Sequence, residues 1–254
     1  MPKYRTNFLD KVILRIDFED ISLLKLDEYS DIIKRVFDVS NFQNGFTGSF
    51  NIDVAQGVVT QSRQELSIKE FNSSTKVNKK ISLSQKWINL EYNTHSYTNS
   101  TELLEDVESF IVPFIETLEV RLINRIGLRY INQIVAPENV NPLVWSTYIN
   151  SGLVGSLAFA RRRNFPISRN FTQQYYKLPN ADVVFSFGLW NEDFPNPIIT
   201  KTFVLDYDCF STLPRGVNDI TLRTEVKSYN EIVEKFFEDS IKQPLRELMG
   251  VEDE

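Results

Sequence analysis

Twice along the chain a strand-like run ending in Leu-x-Tyr leads into a long stripe of apolar residues at helical spacing. The first run, Lys80 to Tyr92, closes on Leu90-Glu91-Tyr92-Asn93. It precedes Leu103, Leu104, Val107, Phe110, Ile111, Phe114, Ile115 and Leu118. The second, Ile198 to Cys209, closes on Leu205-Asp206-Tyr207-Asp208 and precedes Val226, Tyr229, Val233, Phe236, Phe237, Ile241 and Leu245. Such stripes bury against a sheet. The spacing predicts helices over Thr101 to Leu118 and Glu225 to Met249. Each holds an internal proline, Pro113 or Pro244, that should kink it. The expected fold class is therefore α+β. It would have two similar halves, residues 1–140 and 141–254, each a mostly antiparallel sheet backed by a long proline-kinked helix, the two closely packed. Chance likeness between two ordinary strand–helix pairs is the competing reading.

The remaining segments fit that grammar. Val12, Leu14, Ile16 and Phe18 alternate with Ile13, Arg15 and Asp17, the pattern of a strand with one buried face. Leu26 to Val39 has helical spacing. Phe42 to Ile52 carries Asn44-Gly45 and Gly48, turn signals among aromatics. Gly57 to Phe71 reads as a polar, exposed or edge strand. Leu122 to Val135 reads as a further strand, and Pro142 to Asn150 as a short helix. Leu153 to Asn164, Phe171 to Leu178, Asp182 to Trp190 and Ile198 to Cys209 read as antiparallel strands, separated in part by Pro166 and Pro179-Asn180.

Composition narrows the function classes. With 254 residues the chain can bury a sizeable core without staples. A net charge of −6 argues against bulk electrostatic binding of nucleic acid, though not against a local basic patch. A single cysteine, Cys209, permits no internal disulfide and fits a reducing compartment. The first twenty residues are charged throughout, without a signal-peptide core, and no run approaches a membrane span. The expectation is a cytoplasmic protein with no membrane partner.

Catalytic groups are scarce. His95 is the sole histidine, which excludes the common multi-histidine metal sites. A nucleophilic Cys209 would need His95 as its base. No phosphate-binding glycine loop, EF-hand or CxxC pair occurs, and no cofactor is expected. Asp17, Glu19 and Asp20, together with Glu91, Asp206 and Asp208, would serve a metal-dependent hydrolase only if several converged on one cleft.

Two basic features stand out. On the strand Leu122 to Val135, Arg125 and Arg129 flank Gly127 on one face, a floor between two guanidinium groups for a phosphate, carboxylate or base. The same arginines could instead pair with carboxylates on neighbouring strands. Arg161-Arg162-Arg163 and Arg169 lie close to Phe165, Phe171, Tyr175 and Tyr176. On a strand, Arg161 and Arg163 would face together. That basic–aromatic mixture suits single-stranded nucleic acid, a protein interface, or an edge strand protected by charge. The candidate binding residues are thus Arg125, Arg129, Arg161, Arg163, Arg169 and Tyr175.

The segment Arg125-Ile126-Gly127-Leu128-Arg129-Tyr130-Ile131-Asn132, the opening Lys11 to Phe18 and the closing helix from Tyr229 to Met249 resemble a family. It is a sporadically distributed, largely uncharacterised set of prokaryotic proteins with a central R-[VI]-G-L-R-Y-[IV]-N strand. The terminal helix in that family often begins with histidine, where this chain has Tyr229. The resemblance implies no activity and no catalytic residues. Its patchy distribution is similar to that of mobile defence and toxin–antitoxin genes. The functional expectation is a non-enzymatic interaction or accessory protein, the partner or inhibitor subunit of such a system, binding another protein. The alternatives are a nucleic-acid or nucleotide binder using Arg125, Arg129 and the Arg161–Arg163 segment, and a metal-dependent hydrolase.

Overall fold

β1 (Leu9–Phe18) forms where apolar and polar residues alternate, and Val12, Leu14, Ile16 and Phe18 are buried along it. The computed structural model describes residues 4–22, 27, 29–30, 33, 39–53, 58–73, 79–93, 96–135, 145–163, 167–192, 194–196, 202–219 and 221–250. It is mixed α and β, with a large antiparallel sheet. The other strands are β2 (Val39–Asp53), β3 (Val58–Ser73), β4 (Lys79–Leu83), β5 (Trp87–Asn93), β6 (Leu122–Val135), β7 (Asn170–Lys177), β8 (Asp182–Trp190), β9 (Thr202–Ser211) and β10 (Arg215–Gly216). Helix α1 runs through Ser100–Asp106, a π segment Val107–Ile111, and Val112–Thr117. It is followed by α2 (Leu157–Arg163), α3 (Leu222–Ser240) and α4 (Gln243–Met249). Among the described residues no helix is long and apolar enough to cross a membrane.

Two compact units are present: Met1–Val12, Gly127–Ser211 and Val226–Glu254 make the first, Ile13–Ile126 and Thr212–Glu225 the second. They differ from a division into residues 1–140 and 141–254, because β1 and β6 each pass from one unit into the other.

In the second unit the strands pair in the order β2–β3–β4–β5–β1–β6, with β10 also on β6. Lys80 to Tyr92 forms two strands rather than one. Ser84 turns the chain: its N–H donates to Trp87 O at 2.9 Å and its hydroxyl accepts from Lys86 N at 3.1 Å. Phe42 to Ile52 lies inside β2, and Gly48 falls where the β2–β3 register shifts, between Thr47 and Ser49. Asn99 caps α1 by accepting from Glu102 N. Pro113 has no N–H to donate, and its ring crowds the turn before it. The helix widens there, so that Val112 N–H reaches Val107 O. Phe114 of α1 packs against Phe18 at 5.6 Å and edge-on against Tyr29 at 4.5 Å. The Leu26 to Val39 helix falls largely outside the described residues, though Tyr29, Ser30 and Ile33 are helical and buried.

A buried charge cluster joins α1 to the β4–β5 hairpin. Lys79, its side chain only 9% exposed, sits 2.6 Å from Asp106 and 3.6 Å from Glu102. The Tyr92 hydroxyl donates to Asp106, and the Lys79 ammonium lies 5.2 Å from the Tyr92 ring centroid. Burial first, and the Asp106 charge second, push the Tyr92 hydroxyl far above its ordinary range.

In the first unit the order is β1–β6–β9–β8–β7. One face of these strands is apolar and carries α3: Phe236 contacts Phe185, Tyr207 and Tyr176, and Tyr130 donates to Asn230 at 2.6 Å. The closing helix is two helices instead of one kinked helix. Pro244 cannot donate to Ser240 O, so α3 stops there, and Asn150 N–H takes that carbonyl at 2.8 Å. Ile241 bridges Ile149, Lys242 is extended, and Pro244 then sits in the first turn of α4, where a missing N–H costs nothing. Leu153 to Asn164 is not a strand: turns lead into α2 at Leu157, whose Leu-Ala-Phe-Ala-Arg-Arg-Arg run favours helix. Arg5 N–H donates to Gly250 O at 2.9 Å and Thr6 N–H to Met249 O at 3.0 Å.

Candidate functional site: the β7 edge and its sheet face

Leu178 N–H donates to Ala181 O across the Pro179-Asn180 turn, and this turn fixes the β7–β8 register. The register runs unbroken from Asn170 opposite Leu189 to Lys177 opposite Asp182. Period-two alternation then puts Phe171, Gln173 and Tyr175 on one face of β7, beside Asp182, Ser186 and Trp190 of β8. β9 continues the sheet, with Ser186 opposite Asp206 and Asp182 opposite Phe210.

Three groups of side chains stand on this face. At one end the Arg169 guanidinium lies over the Trp190 ring, 4.0 Å from its centroid, with the Phe194 ring at 5.9 Å. Phe171 packs on Trp190 at 5.6 Å. This is a cation–π stack on an aromatic platform. In the middle a polar row crosses four strands. Gln173 Nε2 donates to Ser186 Oγ at 3.1 Å, Ser186 faces Asp206, and Arg129 forks onto Asp206 with bonds of 2.8 and 2.7 Å. The hydrogen bonds that it donates to Asp206 hold the Arg129 guanidinium above its ordinary pKa. At the other end the exposed Tyr175 hydroxyl donates to Asp182, which raises its pKa, and its ring lies 6.4 Å from Phe210.

Gly188 makes the strand crossing possible. Its φ of +147° is strained for other residues, and a Cβ there would meet Asn170 O at 2.0 Å. β7 thus approaches β8 at Asn170 more closely than any side chain would allow.

Arg129, Arg169 and Tyr175 are therefore brought onto one sheet. Arg125 stands on β6 in the other unit. Arg161 and Arg163 lie on α2, where positions two apart do not share a face, so the strand-based pairing of these arginines is replaced by a helix. Their side chains lie outside the described residues, as does His95. Cys209 is buried, and desolvation, then the charge of Asp208, pushes its thiol up to about 12. Asp17 pairs with Arg15 at 2.7 Å, Glu91 lies 3.7 Å from Lys80, and Asp206 is held by Arg129. Glu19 accepts from the N–H groups of Arg121 and Leu122. Among the described residues no group of three or more His, Cys, Asp or Glu is placed to hold a metal ion. Trp190, Phe194, Ser186 and Asp206 complete the face and were not singled out for it in the sequence. The turn register would have found Ser186 and Trp190.

β7 is the last strand in its order, and most of its residues are exposed. Phe171 is 40% and Tyr175 59% exposed. Comparison of the chain with protein-family models gives no match, and comparison with curated proteins gives none either.

Proposed function

We propose that this chain is a non-enzymatic interaction protein that takes an extended segment of another protein along the β7 edge. The observation that carries the reading is the character of that edge. β7 runs eight residues with no register shift, no proline, and no charge between Asn170 and Tyr176. Natural sheets blunt their edges with bulges, prolines or inward charges, because unpaired N–H and C=O groups recruit other strands. An edge left regular and aromatic is suited to strand addition, in which main-chain bonds give affinity and alternate side chains give selectivity. The chain would then serve as the accessory or inhibitory subunit of its partner, in keeping with the defence-like association implied by the family resemblance.

The test is selection from a random peptide library followed by backbone amide exchange on the complex. The expected result is slowed exchange confined to alternate amides of β7. Selected peptides that protect amides elsewhere, leaving β7 unchanged, would refute the reading.

A second reading has one observation in its favour. Arg169 stacked on Trp190 beside Phe171 and Phe194 is the kind of platform on which bases stack. Arg129, however, is neutralised by Asp206 and offers no charge for a phosphate. Salt-dependent binding of a single-stranded oligonucleotide, lost in Trp190→Ala, would favour this alternative.

A further inference from the structure

The charges at the two ends of β7 define what lies along it. Arg169 immediately precedes the strand and Lys177 ends it, both exposed, and the seven residues between them are uncharged. The interval is about eight residues, or about 27 Å at the rise of an antiparallel strand. The Arg169 guanidinium carbon lies 4.0 Å over the Trp190 ring, a contact that consumes none of its N–H donors, so an exposed Arg169 can still meet a planar acceptor. Lys177 is a flexible point charge on the exposed end of the strand.

We infer, building on the strand-addition reading, that the partner of β7 is an extended peptide segment carrying a carboxylate residue at each end of an uncharged stretch. The two carboxylates stand about eight residues apart, one meeting Arg169 and the other Lys177. Between them, side chains on one face of the segment lie against Phe171 and Tyr175, which are four positions apart on the same face and both exposed. This charge pattern also argues against a second copy of the chain as the occupant. A two-fold axis through Gln173 would pair Phe171 with Tyr175 of the other copy, but would set Arg169 against Lys177. Like charges directly opposite one another destabilise a strand pair.

The experiment uses the full chain and two synthetic peptides with the same uncharged, alternating core, one ending in Asp on both sides and the other in Lys. Binding is followed by fluorescence anisotropy at low and high salt, with amide exchange on each complex. The acid-ended peptide binds about tenfold more tightly at low ionic strength, and the gap closes as salt screens the exposed pairs. Lys177→Glu, which leaves the Trp190 stack untouched, narrows the preference, and Arg169→Glu/Lys177→Glu reverses it. N-methylation of the peptide at alternate positions abolishes binding in one phase only. Equal binding of both peptides, with β7 amides protected, would overturn the acid-ended partner while leaving strand addition intact. Binding of neither peptide would overturn both. A dimer whose β7 amides are protected without any peptide would assign the edge to a second copy and likewise overturn the inference.

Discussion

Replacing Lys79 with methionine keeps most of the aliphatic stem and removes the ammonium that Asp106 faces at 2.6 Å and Glu102 at 3.6 Å. The Lys79 and Asp106 side chains are 9% and 11% exposed, so solvent does little to replace the lost partner. Breaking a buried pair from one side costs about 3–5 kcal/mol. The lower end applies here, because the Tyr92 hydroxyl still donates to Asp106. About 3 kcal/mol corresponds to a fall in melting temperature of about 6–12 °C for a chain near this size. Lys79→Met/Asp106→Asn should recover part of that loss, since the amide oxygen still accepts from Tyr92 and the Asp106 charge is gone, while Glu102 still loses the ammonium 3.6 Å away. Urea denaturation of the two single variants and the double variant gives the coupling energy. The loss in Lys79→Met should change little between low and high salt, because a buried pair is weakly screened. A cost below about 1 kcal/mol that vanishes in salt would mean that the cluster behaves as an exposed ion pair, and the reasoning would fail.

Gly188→Ala places a Cβ 2.0 Å from Asn170 O at a positive φ. It should cost at least about 1–3 kcal/mol from backbone strain and speed amide exchange across β7. Arg129→Ala strands Asp206, but Arg129 is 44% exposed, so the expected loss in chemical denaturation is about 1–2 kcal/mol rather than that of a buried pair. The Cys209 thiol, held protonated up to about 12 against an ordinary value of 9.0, should resist alkylation at pH 8 until the chain unfolds. Because the folded pKa is the higher one, its stabilising contribution is intact below about pH 9 and is lost as pH rises toward 12. Melting temperature should therefore fall less steeply across that window in Cys209→Ala.

Strands whose alternation is clean were legible, and β1 is the clearest: Val12, Leu14, Ile16 and Phe18 are buried and the residues between them are not. Segments where a local signal had two physical meanings were not. Gly48 is a turn residue by type, yet it lies inside a fifteen-residue strand, where the β2–β3 register shifts between Thr47 and Ser49. Leu153 to Asn164 has enough apolar residues for a strand, but Ala158, Ala160 and the arginines favour the helix that forms. Pro244 was legible as an interruption, not as a helix start. In the candidate site, Arg129, Arg169 and Tyr175 stood out as residue types. Their arrangement depended on pairings far apart in sequence: the partner of Arg129 is Asp206, 77 residues on, and no local pattern announces it. The edge character of β7 is likewise a property of strand order.

The bonds from Arg5 and Thr6 to Gly250 and Met249 have a consequence for the order of events during synthesis. They tie the residues leading into β1 to the end of α4, far along the chain, so the first unit cannot close until α4 has left the ribosome. Until α3 has emerged the apolar strands β8 and β9 lack the helix that covers them, while β7 already offers a regular edge. Non-local pairing of this kind folds slowly and leaves nascent strands open to aggregation. A partner segment engaging β7 at that stage would act as a chaperone for the chain as well as its ligand, and co-expression with such a segment should raise the soluble yield.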